Sequence, residues 1–192
     1  MDMHEAALLA TQLAMGFALA ACVGLRTFLP LLAAGALART GYLHLGPSFE
    51  WMASTPALVV FGSALAFEVL ADKIPWLDHA LHVAESFVKP VAGTLVAASL
   101  LTDLDPVVAI TLGLIGGGAV AGIVQALRGT ARVASTAITG GLGNPVLSIF
   151  DDALATVGVV LAFIVPVIAA ILVIVTGIVL ARMYLRRRDA SA

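Results

Sequence analysis

Residues 106–127 read PVVAITLGLIGGGAVAGIVQAL, a run that contains no charged side chain. As a helix at 1.5 Å per residue it reaches about 33 Å, enough to cross a hydrocarbon core of ~30 Å. Its Gly113-xxx-Gly117 and Gly118-xxx-Gly122 spacings are close-packing signals rather than nucleotide loops. Outward from it lie five more apolar stretches, at 6–24, 53–71, 87–102, 145–164 and 166–183. The last two meet at Pro166 without a polar turn. A single helix there would be roughly 60 Å long, so a break just before Pro166 is expected, with proline at a first helical position. Residues 25–38 and 128–144 are apolar or small-residue segments too short or too polar to count as spans. The expected fold class is an all-α polytopic membrane helix bundle. It has about six spans, two shorter membrane-associated segments and one integral membrane domain over 1–192.

Composition agrees. Of 192 residues, 61% are hydrophobic and 11% charged, against roughly 25% charged in soluble domains. The mean hydropathy is +1.08. These values exclude a cytosolic enzyme, a disordered tail and a disulfide scaffold. The single cysteine, Cys22, has no internal bridging partner. A net charge of −2 gives no electrostatic footprint for nucleic acid. Leu19-Ala20-Ala21-Cys22 fits a lipoprotein cleavage box, but no Lys or Arg precedes it and more membrane-like sequence follows, so a first transmembrane helix is expected.

Lys and Arg set the expected orientation. With both termini in the cytoplasm, Lys73, Lys89, Arg128, Arg132, Arg182, Arg186, Arg187 and Arg188 fall inside, and Arg26 and Arg39 outside. Trp51 and Trp76 bracket the second span and Tyr184 ends the sixth, as interfacial aromatics do. The expected location is the inner membrane, with Asp103-Leu104-Asp105-Pro106 forming an outer turn and helix start. Leu25-Arg26 and Leu127-Arg128 align at an offset of 102, which pairs Gly16 with Gly118 and Ala20 with Gly122. A later pairing sets Val88–Ala92 beside Ile164–Ile168. Two halves, 6–102 and 106–183, of three spans each then imply an inverted repeat.

Three separated runs carry a resemblance. They are Gly24-Leu25-Arg26-Thr27-Phe28-Leu29-Pro30-Leu31-Leu32, Glu68 through Asp78, and Ser135 through Pro145 followed by Asp151-Asp152. Together they resemble the domain of unknown function 4126 family, small prokaryotic membrane proteins. The resemblance implies localisation and fold, not an activity. One departure is Asp151-Asp152, where the family pattern leads one to expect Glu-Asp.

Ionisable groups at membrane depth cost ~2.5–3.5 kcal/mol on insertion scales, so each needs a reason. Glu68 lies deep in the second span with Asp72 one turn on and Lys73 adjacent. It is a candidate coupling carboxylate, the alternative being a helix-end cluster. Arg26 suits bidentate anion binding or snorkels to headgroups. Arg128 and Arg132, one turn apart, suit a phosphate or carboxylate. The Gly140–Pro145 break is expected to start a helix with Asn144 as its cap, and Ser135, Thr136 and Thr139 nearby offer hydroxyls. Asp151 and Asp152 point about 100° apart, one inward and one toward an arginine. Asp78-His79 with His82 has metal-like spacing, but a solvated amphipathic strip explains it as well. No metal or cofactor is expected.

Three functions remain open. The first is a small transporter or channel-like protein with a polar site near the bilayer midplane and a small-molecule or ion substrate, with anions favoured by the arginines. The second is a non-catalytic membrane scaffold. The third is a lipid- or isoprenoid-modifying enzyme using Asp72, Asp78, His79 and His82. The expected partners are membrane lipids and that substrate, and homo-oligomerisation is open.

Overall fold

A computed structural model describes residues 3–72 and 75–165, with helical positions 168, 172, 175, 176, 178, 179 and 182 beyond them; side chains of 75–83 are not included. The sixth expected span, 166–183, therefore lies largely outside the described residues, as do Lys73 and the side chains of Asp78, His79 and His82. Among the described residues every regular element is helical. The order is α1 (Met3–Leu25), α2 (Phe28–Arg39), a 3-10 helix (Pro47–Ala53), α3 (Thr55–Ala71), α4 (Pro75–Ser99), α5 (Pro106–Leu112), a π segment (Gly113–Gly118), α6 (Ala119–Thr139) and α7 (Asn144–Ile164).

Three described helices are long and apolar enough to cross a membrane: Glu5–Leu25, Pro106–Thr139 and Asn144–Ile164. A fourth is reached if the 3-10 helix and α3, bent by 64°, count as one span. Exposed Val59, Val60, Leu114, Ile115, Ile149 and Phe150 give these helices an apolar exterior. Such a surface suits lipid, not water. The molecule is thus compatible with an integral membrane protein.

Local rules set the helix starts. Ser54 caps α3, its Oγ accepting from Ala57 N at 3.3 Å, with proline in the first turn. Asp105 caps α5, its Oδ1 accepting from Val107 N at 2.9 Å ahead of Pro106. The expected break at Gly140 is present, with Gly140 and Gly141 both left-handed. Asn144 is not the cap there: it is the first residue of α7 and its Nδ2 donates to Thr136 Oγ1 at 3.0 Å. Residues 128–139 are no separate segment, because α6 continues through them. Likewise the expected span at 87–102 is not a separate element, because α4 begins upstream of it at Pro75 and runs to Ser99 as one helix with Pro90 inside it.

α1 lies at the centre. Ala18 to Val23 are consecutive and all buried, which a helix achieves only when neighbours surround it. Its neighbours fix the directions of the bundle. Lys89 Nζ donates to Leu25 O at 3.3 Å, Gly16 packs on Ala97, and Gln12 Nε2 donates to Thr102 Oγ1 at 2.8 Å. α4 therefore runs antiparallel to α1. The expected alternation of spans makes them parallel, and the correction comes from α2. α1 and α2 fold into a hairpin at Arg26-Thr27, and Gly46 N, beyond α2, donates to Ser99 O at 2.8 Å, back near the Gln12 end. α2 is thus a counter-running leg. One consequence is that the 102–105 turn lies at the same end of the bundle as the start of α1, not at the opposite end.

The glycines of the π segment bring α4 and α6 together. A Cβ on Gly93 would lie 2.5 Å from Ala121 Cβ and 2.7 Å from Gly117 O. α1 also packs against α5–α6, Gly116 on the Phe17 ring and Gly24 on Ala121 and Val124. These contacts advance together along both chains, so the two helices are parallel. An inverted repeat pairing α1 with residues 106–127 requires opposite directions, so this pairing of halves is not an inverted one.

Candidate functional site

The turn between α1 and α2 exposes backbone N–H groups at a helix start. Glu68, one turn before the end of α3, reaches them. Its Oε1 accepts from Thr27 N at 2.8 Å and its Oε2 from Phe28 N at 3.4 Å. Glu68 is buried, and a carboxylate at this end also meets the positive pole of α2. The deep candidate carboxylate therefore fastens α3 to the hairpin tip.

Asp72 closes the same helix and is the hub of the site. Its Oδ2 accepts from Arg26 Nη1 at 2.5 Å, Arg128 Nη2 at 2.7 Å, Ser148 Oγ at 3.0 Å and Arg132 Nη2 at 3.2 Å. The donors come from the α1–α2 turn, from α6 and from α7. Arg128 and Arg132 share one face of α6, as their spacing predicts. Arg26, expected on the opposite side of the membrane from them, meets them on one oxygen.

Each arginine has further partners. Arg128 Nε donates to Asp151 Oδ2 at 2.7 Å and Nη1 to Glu85 Oε2 at 2.8 Å. Arg26 Nε pairs with Asp152 Oδ1, and Arg26 Nη2 donates to Ser148 O at 3.3 Å. Arg132 Nη2 also donates to Ser148 Oγ at 3.2 Å. Asp151 and Asp152 thus both meet arginines, on different guanidiniums. Lys89, wholly buried on α4, bonds Glu85 at 2.9 Å and Gln125 Oε1 at 2.8 Å.

Several of these partners escape a reading of the sequence. Glu85 and Lys89 carry a signal, an i,i+4 acid–base pair flanked by apolar residues. Ser148 stands one turn before Asp151-Asp152, but nothing marks it as polar glue. Conversely, Ser135, Thr136 and Asn144 cluster at the α6–α7 turn and stay apart from Asp72. Thr139 Oγ1 donates to Ser135 O at 2.7 Å and accepts from Gly143 N at 2.9 Å, which spends the Thr139 hydroxyl on the turn itself.

Among the described residues the network joins Arg26, Lys89, Arg128 and Arg132 to Asp72, Glu85, Asp151 and Asp152, with Glu68 attached through the Thr27 N–H. With every group ionised, these ion-paired side chains balance, four of each sign. Burying such groups costs desolvation that only close pairing offsets. Three guanidiniums on one carboxylate oxygen form, chemically, an anion receptor filled by the chain's own anion.

These features define a class: an all-helical protein with membrane-compatible apolar helices, tied at one end by a buried ionic network. Residues 13–186 match the family model described as Domain of unknown function (DUF4126), and the chain belongs to that family. No curated protein and no solved structure matches it.

Proposed function

We propose that this chain is a polytopic inner-membrane protein acting as a small transporter or channel-like protein for a small anion, with Asp72 as the resident counter-ion of the anion site. The observation that carries this is the convergence of Arg26, Arg128, Arg132 and Ser148 on Asp72 Oδ2. A substrate carboxylate or phosphate presents the same oxygen chemistry. Asp72 ends α3, so a small motion at that junction would exchange one anion for another.

The site belongs at a membrane boundary rather than the midplane. From Pro106 to Arg128 the helix climbs about 33 Å, one hydrocarbon thickness. Arg26, Lys89, Arg128 and Arg132 sit at the network end, and Arg39 at the other, bonded to Thr55 at the start of α3. The positive-inside rule then makes the network end cytoplasmic and the start of α1 external. The Arg186-Arg187-Arg188 tail favours a cytoplasmic C-terminus. With α2 as an extra leg and 166–183 as a last crossing, the six apolar stretches fit this arrangement within a single domain.

The test is anion binding by the full chain in detergent micelles. Chloride, acetate or phosphate should raise the melting temperature of Asp72→Asn more than that of the wild type, because the variant leaves the arginines without that counter-charge. Arg132→Gln should weaken the effect. If none of the three anions stabilises either protein, and proteoliposomes show no anion flux, the anion site is wrong. A scaffold is the second reading, favoured by how completely Arg26 and Lys89 are enclosed. It predicts the same fold with no flux.

A further inference from the structure

The guanidinium of Arg26 faces two acids. Its Nη1 donates to Asp72 Oδ2 at 2.5 Å, and Asp152 Oδ1 is the charge partner of its Nε. That second pairing is a contact of charges without hydrogen-bond alignment. Arg26 Nε is buried and has no hydrogen-bond partner among the described residues. Nη2, on the same edge of the guanidinium plane as Nε, has two longer bonds, to Ser148 O at 3.3 Å and Ser148 Oγ at 3.2 Å. The Nε–Nη2 edge is thus a two-donor fork that the chain's own groups fill poorly. Two parallel N–H groups match two oxygens of a carboxylate or phosphate, a fit that a single-atom halide does not have.

The two acids differ in how they are held. Asp72 Oδ2 takes Arg26, Arg128, Arg132 and Ser148, and its side chain is 1% exposed. Asp152 has its one ion pair among the described residues with Arg26, and its side chain is 32% exposed. Every other ion-paired side chain of the network is at most 12% exposed. Asp152 is therefore both the member that a dissolved anion can reach and the one whose displacement breaks least. When it moves away, Arg26 is still held by Asp72 and Ser148.

We propose that Asp152 is the gate of the site: a small oxyanion, carboxylate- or phosphate-like, displaces it from Arg26 and docks on the Nε–Nη2 edge before Asp72 is disturbed. The inference rests on the anion reading above, to which it adds the class of substrate and the point of entry.

The experiment titrates the full chain in detergent micelles with chloride, acetate or phosphate at one ionic strength and reads the melting temperature. Asp152→Asn keeps the shape of the side chain and removes its charge. Its acetate or phosphate midpoint should fall roughly tenfold below that of the wild type, as for removal of one competing charge-assisted contact. The chloride midpoint should change less. Asp152→Ser should respond in the same way and carries the test if the amide variant fails to fold. Glu50→Gln removes an exposed acid near the Arg39 end of the bundle and should match the wild type. Equal midpoints for wild type, Asp152→Asn and Asp152→Ser, with Asp72→Asn still stabilised by anions, overturn the gate and leave the anion site standing. No response in wild type, Asp72→Asn or the Asp152 variants overturns the anion site and the gate with it. An equal shift in Glu50→Gln reduces the effect to net charge and overturns the gate. Chloride acting as strongly as acetate and phosphate overturns the oxyanion preference. Stabilisation by phosphatidylglycerol in the micelles, with none by the free anions, overturns a small oxyanion as the occupant.

Discussion

Replacing Asp72 with alanine removes the one acceptor shared by three buried arginines. Breaking a buried ion pair by deleting one partner costs about 3–5 kcal/mol. Three pairs break here, yet the cost should not triple. Arg128 retains Glu85 and Asp151, Arg26 retains Asp152 and the Ser148 carbonyl, and Arg132 retains Ser148 Oγ with Asp151 3.7 Å away. The expected loss is therefore that of a single broken pair. For a chain of this length each kcal/mol moves the melting temperature by about 2–4 °C, so Asp72→Ala should melt roughly 6–20 °C lower. Thermal unfolding of the full chain in micelles, followed by intrinsic fluorescence from Trp51 and Trp76, reads this. Asp72→Asn keeps an acceptor oxygen and should fall between. Adding Arg132→Met to Asp72→Ala removes one of the three buried cations that lose this acceptor and should recover part of the loss. A melting temperature for Asp72→Ala within about 2 °C of wild type, with no recovery in the double variant, would refute the idea that the network is mutually constrained.

Three further outcomes follow from the geometry. In a Cys22→Ala background, Glu5→Cys and Asp103→Cys should react with an impermeant maleimide from the same side, and Gly140→Cys from the other; labelling of the first two from opposite sides would contradict the antiparallel packing of α1 and α4. Glu68→Ala should cost about 1–2 kcal/mol through loss of the α2 cap and expose the Thr27 and Phe28 amides to faster hydrogen exchange, and unchanged exchange at those amides would remove Glu68 from that role. Gly93→Ala forces α4 away from the backbone of the π segment and should destabilise by about 1–3 kcal/mol, whereas Gly62→Ala, in open space within α3, should be neutral or stabilising by up to ~1 kcal/mol, so equal melting temperatures for the two variants would count against close α4–α6 packing.

Helical class, apolar stretches and close-packing glycines were legible in the sequence because each is a local property. Direction was not. Residues 25–38 look like a segment too short to cross, and nothing in Leu25 to Ala38 says whether the chain turns back at Arg26. That single reversal changes the sense of every later helix relative to α1. It also puts Arg26 at the same end of the bundle as Arg128 and Arg132. The candidate ions were found by their cost at depth, which is why Asp72, Arg128, Arg132, Asp151 and Asp152 were visible. Glu85 and Lys89 are easily passed over because the stretch upstream of them, Asp78 to His82, reads as a solvated strip. Ser148 and Gln125 carry no charge, so only the neighbours that the fold brings to them reveal their part.

The two kinds of contact divide the work of assembly. In lipid, burial of apolar area does not distinguish one helix pairing from another, so association rests on close packing and polar partners. The middle of the bundle uses the first: Gly93, Gly113 and Gly117 let α4 and α5–α6 approach at backbone distance, with Gly24 and Gly116 doing the same for α1. Small-residue seams of this kind permit sliding, since neighbouring registers present similar surfaces. The ionic end removes that freedom. Asp72, Glu85 and Lys89 come from the end of α3 and from α4, Arg26 from the hairpin tip, Arg128 and Arg132 from α6, and Asp151, Asp152 and Ser148 from α7. A shift of one residue along any of these helices would part an arginine from its carboxylate. Register is thus set where the charges are and tightness where the glycines are. A change at Asp72, at the end of α3, therefore reaches the α1–α2 turn, α6 and α7 at once.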